Sequence, residues 1–409
     1  MNSTIIAVEL VRPISSTNPM LLRHGLPIMP DSHRYHVVIA VPTMPHYRLR
    51  LFELLAENLA REGVKLEVVY GNPNPEQAAK RDLVELAAPV GVKIKNYWLN
   101  ETVLHQAIFG KTLTADLVIV LNANGHPLNF LLCIATKLGG PKLGFWVYNR
   151  RSQIHERTVK ERIRRCLTRF GTWWFAYTDM ARDYLLADGI PNARITTLNN
   201  SVDLTRFRAD LTAVTAEQLQ AFRQLHGIPA DAPVGLYCGG LHRDKRLDFF
   251  CRAIALIQAA RPDFHMLIVG DGSQRAPVLR AAAADARVHY LGPAFGHDKA
   301  LCFRLARLFL CPGLVGLAIL DAFAAGLPLI TTDIPSHSPE IVYLETNHNG
   351  LITPHDVKQY ADAVVNLLES EFRLDRMRQA ALASAEAYGI EKMAERFSGG
   401  ILACLNTSH

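Results

Sequence analysis

Short apolar runs alternate with helical periodicity along most of the chain, and the alternation stops and restarts once. This is the pattern of parallel strands joined by crossover helices, because a strand covered on both faces needs apolar side chains at every position. In the first half a strand is predicted over 36–41, ended by Pro42, then a helix over 49–62 whose positions 51, 52, 54, 55 and 59 share one face. Further strands are expected over 66–70, 117–121, 143–147, 174–177 and 195–198. The second half repeats the scheme, with strands over 234–238, 265–269, 288–291, 308–311 and 328–331. Its helices are expected over 246–261, 274–284, 299–306 and 317–325. The segment 203–232 has no strand pattern, and 374–405 is helical in period. The chain therefore reads as α/β, with two doubly wound domains over 34–204 and 205–375. An extension over 1–33 precedes them, and C-terminal helices over 376–409 bridge both domains or pack on one.

A chain of 409 residues, 49% hydrophobic and 20% charged, is long enough for two cores. No apolar run reaches the roughly 18 residues of a membrane span; the stretch 117–148 is broken by Asn122, Asn124, His126, Asn129, Lys137 and Lys142. The first 33 residues hold Pro13, Pro19, Pro27 and Pro30 and lack the charged start and apolar centre of a signal peptide. Seven scattered cysteines without a C-x-x-C pair fit a reducing cytosol and give no metal site.

Charge is unevenly placed. Residues 1–208 hold 26 Lys+Arg against 17 Asp+Glu, while the remainder is slightly acidic. The excess is concentrated in Arg150, Arg151, Arg157, Lys160, Arg162, Arg164, Arg165 and Arg169, which run into Trp173, Trp174 and Phe175. Basic residues beside aromatics suit peripheral contact with an anionic membrane on its cytoplasmic face. A solvated helix face leading into a buried strand is the alternative. No nucleic-acid motif accompanies the charge.

Four loops of the second half fall at the carboxyl ends of predicted strands, where open α/β sheets bind ligands. The first is Gly239-Gly240-Leu241 with Lys245 six residues after Gly239, which lets backbone approach a ligand and puts an ammonium near its phosphates. The second is Gly270-Asp271-Gly272, the third Gly292-Pro293. The fourth, Pro312-Gly313-Leu314-Val315-Gly316-Leu317, runs into a helix bearing Asp321, so free amides and a helix N-terminus face one point. Asp321 is either a helix-dipole carboxylate or an acceptor for ribose hydroxyls.

In this order, with Leu267-Ile268-Val269 before the second loop and Pro339-Glu340-Ile341 at the end, the residues resemble family-4 retaining glycosyltransferases of the GT-B fold. The resemblance is strong over 195–365 and faint before it; Trp173–Thr178 and Tyr47-Arg48 look similar to a bacterial surface-polysaccharide branch. It implies two Rossmann-like domains facing a cleft, a nucleoside-diphosphate-sugar donor, no cofactor and no metal. Lys245 would neutralise the diphosphate, and the amides of Val315, Gly316, Leu317 and Ala318 would bind it. Asp321 would take the ribose, and Gly292, Pro293, Ala294 and Phe295 the base. The product would keep the anomeric configuration; the charge and aromatics of the basic first half, rather than the resemblance, point to a lipid-linked oligosaccharide in the cytoplasmic leaflet as the acceptor.

The departures from that family pattern are specific. Of two glutamates with seven residues between them, the first position is Gly313 and the second Asp321. Gly240 stands where an arginine commonly follows the first glycine. The first-domain histidine is missing from Trp146-Val147-Tyr148-Asn149-Arg150, which leaves His46, His126 and Asn149 as weak catalytic candidates. The rival to an enzyme is a non-catalytic nucleotide-sugar-binding partner or sensor. An NAD-dependent oxidoreductase is disfavoured, since no G-x-G-x-x-G opens a helix after a strand.

Overall fold

A computed structural model describes residues 33–79, 83–99, 103–123, 125–148 and 159–408. Residues 33–409 form one compact unit. Its first half opens with β1 (Tyr35–Ala40), α1 (His46–Arg61), β2 (Val64–Gly71), α2 (Pro75–Ala79) and β3 (Gly91–Ile94). A small antiparallel hairpin of β4 (Asn96–Leu99) and β5 (Val103–Gln106) follows, then α3 (Phe109–Thr112). The chain continues through β6 (Leu117–Leu121), α4 (Pro127–Lys137), β7 (Lys142–Val147), α5 (Val159–Thr168), β8 (Trp173–Ala176), α6 (Asp179–Ala187) and β9 (Ile195–Thr197). Apart from the hairpin, these strands form one seven-stranded parallel sheet, ordered β3-β2-β1-β6-β7-β8-β9.

Two helices, α7 (Thr205–Ala213) and α8 (Ala216–Leu225), lead to the second half. There β10 (Val234–Cys238), α9 (Leu247–Ala260), β11 (His265–Val269), α10 (Ala276–Ala284), β12 (Val288–Gly292) and α11 (Gly296–Leu305) follow in turn. The half closes with β13 (Leu308–Leu310), α12 (Ala318–Ala324), β14 (Leu329–Thr332), β15 (Gly350–Thr353) and α13 (Val357–Leu368). The sheet order β12-β11-β10-β13-β14-β15, all parallel, is the dinucleotide-fold order 3-2-1-4-5-6. The strand order reverses between β10 and β13, which is where such sheets open a crevice.

The central strands are apolar at nearly every position because helices cover both faces: Val37, Val38 and Ile39 are fully buried, as are Met266, Leu267 and Ile268. The two last helices part company. Leu374, Met377, Ala381 and Ala385 of α14 (Glu371–Ala387) join the core of the second sheet. Met393, Phe397, Ile401 and Cys404 of α15 (Ile390–Asn406) join the core of the first, against Leu51, Leu55, Trp146 and Phe175. Lys142 holds α15 there. Buried at the start of β7, it donates to the carbonyls of Cys404, Leu405 and Thr407 at 3.1, 2.8 and 2.5 Å, capping groups that a helix C-terminus leaves free.

The predicted strands and helices are present, with ends moved by at most three residues. The edge strands β3 and β15 and the β4–β5 hairpin were not foreseen. Of the two readings of the basic run and its aromatics, Trp173 and Trp174 follow the second: they are buried in β8, because a strand inside a covered sheet has no solvent face. Arg150, Arg151 and Arg157 of that run lie outside the described residues.

Candidate functional site

The loops leaving β10, β11 and β12 are lashed into one edge. Gly239 N–H donates to Val269 O at 3.0 Å and Gly270 N–H to Gly292 O at 2.8 Å. Glycine is required at 270, where φ is +133° and a Cβ would lie 1.9 Å from Gly239 O. Facing this edge is the start of α1, and between them opens a cleft of about 970 Å³. Its wall carries His46, Tyr47 and Arg50 from α1 and Arg206, Phe207 and Asp210 from α7. The second sheet contributes Gly239, Gly240, Gly270, Pro293, Ala294 and Phe295, then Lys299, Leu317, Ala318 and Asp321.

The loop after β13 presents its polar groups to opposite sides. Its carbonyls are held from the core: Thr332 Oγ1 donates to Pro312 O at 2.7 Å, Thr331 Oγ1 to Gly313 O at 3.4 Å, and Lys245 Nζ to Leu314 O at 2.5 Å. The N–H groups of Gly316, Leu317 and Ala318 donate to nothing else among the described residues. Leu317 and Ala318 are on the cleft wall. An anion there would meet several amides and no competing carbonyl. Since α12 is only seven residues long, these local amides carry the attraction rather than a long helix dipole.

Several expected site residues stand elsewhere. Lys245 ends on the Leu314 carbonyl and is not on the wall, so it braces the loop. The Val315 N–H is taken by His337 Nδ1 at 3.0 Å, while His337 Nε2 meets Thr332 O at 2.8 Å. A carbonyl only accepts, so the His337 proton sits on Nε2 and Val315 has no amide to offer a ligand. Gly292 and Gly316 are structural neighbours of the wall, Gly292 as an acceptor for Gly270. His46 lies on the wall at the first position of α1. His126 does not; it is largely buried before α4, and burial lowers its imidazole to about 4. Asn149 lies outside the described residues.

Asp321 is on the wall and forms an ion pair with Lys299, 2.9 Å from Nζ to Oδ2, with both side chains about one-quarter exposed. No motif in the sequence pointed to Lys299. The signal available was positional, a charge in the first turn of a helix that leaves a carboxyl-edge loop. Cys238 also reaches the cleft, but burial pushes its thiol up to about 12, so it stays protonated and is no nucleophile. At Gly313 a Cβ would lie 2.4 Å from Lys245 C and 2.5 Å from Asp244 O, so packing excludes any side chain there. Among the described residues no group of three His, Cys, Asp or Glu side chains could hold a metal ion.

Two Rossmann-like parallel sheets with a cleft at their carboxyl edges define the GT-B class of fold. Residues 232–370, which contain the second sheet and its loops, match the family described as glycosyl transferases group 1. The Anabaena protein HepE, solved with UDP, superposes with a TM-score of 0.64 at 14% identity, over 90% of this chain and 99% of its own. Sucrose-phosphate synthase of Thermosynechococcus elongatus gives 0.59 at 15%, over 90% and 98%. At such identities the likeness is one of fold. The D-inositol 3-phosphate glycosyltransferase of Thermobispora bispora is 28% identical over 233 residues, which are 53% of this chain and 52% of that protein. The GDP-mannose-dependent monoacylated alpha-(1-6)-phosphatidylinositol monomannoside mannosyltransferase of Corynebacterium glutamicum is 30% identical over 214 residues, 49% and 54%. The chain thus spans about half the length of the curated relatives it matches.

Proposed function

We propose that this chain is a glycosyltransferase that takes a sugar from a nucleoside-diphosphate sugar and passes it to a hydroxyl acceptor, with retention at the anomeric carbon. The observation that carries the reading is the loop after β13, whose carbonyls are tied to the core while its 316–318 amides are left for an anion. The bond from the anomeric carbon to the diphosphate breaks with its electron pair going to the diphosphate oxygen, and the acceptor oxygen bonds to the same carbon while its hydroxyl proton passes to the departing diphosphate. Fixed amides stabilise the charge that gathers on the leaving group without having to reorganise. Asp321 is the acceptor for the ribose hydroxyls, and the 292–295 loop, which ends in the exposed ring of Phe295, holds the base.

The first-half wall, with His46, Tyr47 and Arg50, is the acceptor side of this reading. Inositol phosphate, or a mannosylated phosphatidylinositol, are acceptor chemistries suggested by the names of the relatives. A lipid-linked acceptor has support on the surface. Phe130, Leu131 and Ile134 of α4 and Leu138 just after it are 41–82% exposed, Leu113 lies beside them, and Lys137, Arg162 and Arg169 are exposed on or next to α4 and α5. Exposed apolar side chains on a half of the chain with excess positive charge suit an anionic bilayer surface. Among the described residues no helix is long and apolar enough to cross a membrane.

Packing at Gly313 excludes a carboxylate from the position next to the donor sugar, and this favours the second reading, a nucleotide-sugar-binding partner without turnover. Incubation with a panel of UDP- and GDP-sugars, following released nucleoside diphosphate, separates the two. Slow release from one donor, accelerated by an acceptor, is expected of the enzyme. Tight binding with no release would establish the partner, and no binding at all would sink both readings.

A further inference from the structure

The cleft needs a cation for the donor diphosphate, and the position where the family pattern supplies one is vacant: Gly240 has no side chain. Lys245, the other expected cation, has its ammonium on the Leu314 carbonyl and is not part of the wall. Three Lys or Arg side chains reach the wall among the described residues: Arg50, Arg206 and Lys299. Arg50 sits on α1 and is neutralised by Glu53 and Glu57 at 3.4 and 3.6 Å. Arg206 is exposed on α7. Lys299 alone combines a wall position on the donor side with a constrained stem: its ammonium lies 4.5 Å from the ring centre of Phe207 and 5.5 Å from that of Phe303.

We propose that Lys299 is the diphosphate-binding cation of this cleft and that its ion pair with Asp321 is the resting form of the nucleotide site. This deepens the nucleotide-sugar reading and rests on it. Two vicinal ribose hydroxyls donate to one carboxylate, so a bound nucleotide satisfies Asp321 in place of Lys299. The ammonium, with three donors on a flexible four-carbon stem, then turns to the phosphate oxygens next to the ribose. Phe207 and Phe303 keep it from swinging into bulk water, so the charge is already in place when the diphosphate arrives. The ribose and the diphosphate are thereby read by one coupled pair rather than by two independent groups.

The test is titration calorimetry of the full chain and its Lys299→Met and Lys299→Arg variants with UDP, GDP, uridine and guanosine, each variant first checked by its thermal melt. The wild-type chain should prefer one diphosphate over its nucleoside. Lys299→Met should lose that preference by roughly tenfold to a hundredfold, as expected for a charge-assisted bond to phosphate, while nucleoside affinity changes little. Lys299→Arg should keep most of it. If Lys299→Met weakens nucleoside and diphosphate equally, Lys299 only positions Asp321 and the inference is overturned. If a folded Lys299→Met binds the diphosphate as the wild type does, it is overturned as well, with the nucleotide-sugar reading intact. If the wild type binds neither diphosphate, both fall together.

Discussion

Asn200 Nδ2 donates to Glu340 Oε1 at 2.6 Å, joining the end of the first sheet to the turn that follows β14 in the second half. Both side chains are buried, at 0% and 3% exposure, and Tyr343 adds a hydrogen bond from its hydroxyl to Asn200 O at 2.9 Å. A buried carboxylate depends on such donors for what water would otherwise supply. Asn200→Ala removes one of them and should lower stability by about 2 kcal/mol. Urea unfolding would read this as an earlier midpoint, and an unchanged midpoint would mean that the bond contributes nothing to holding the halves together.

Phe295 is 80% exposed although it lines the cleft and follows the Gly292-Pro293 turn. A ring in that position has little to do for the fold and a flat face to offer a base. Phe295→Ala should leave the thermal midpoint where it is and weaken nucleotide binding by about 1–3 kcal/mol, the usual worth of a base stacked on an aromatic. Equal nucleotide affinity in variant and wild type would remove Phe295 from the base site.

His126 makes the fold sensitive to acid. Burial holds its folded imidazole neutral down to about pH 4, while the unfolded chain takes up the same proton near its ordinary value of 6.5. Between those values the unfolded state binds more protons, so stability rises with pH across the window and is lost as pH falls through it. The loss approaches roughly 3 kcal/mol by pH 4 if the imidazole stays buried. His126→Gln should flatten this part of the stability–pH curve, measured by urea midpoints at pH 7, 5.5 and 4.5. Parallel curves for variant and wild type would assign the acid sensitivity to other groups.

How much was legible in the residues followed from burial. Strands such as 117–121 and 265–269 were readable because helices cover both faces and leave almost no polar position. The edge strand Gly350–Thr353 and the hairpin were not, since Gly-Leu-Ile-Thr and the half-exposed 96–106 segment carry neither a long apolar run nor clean alternation. Glycines 239, 240 and 270 and Asp321 were legible because backbone approach and a lone carboxylate in an apolar helix leave a mark on sequence. Lys299 leaves only its position in the first turn of a helix; its place is decided by Phe207, ninety-two residues earlier, which packs beneath it. Lys142 was read as an interruption in an apolar stretch, and only the return of the chain 262 residues later provides the carbonyls that make burying it tolerable.

That return has a consequence for how the chain comes into being on the ribosome. The first sheet emerges well before α15, so the face of it that receives Phe397 and Ile401 stays open until residues 390–406 have been made. The second half has its own covering helix, α14, nearer to hand. The second half can therefore finish before the first, which waits with an oily flank that chaperones would have to shield.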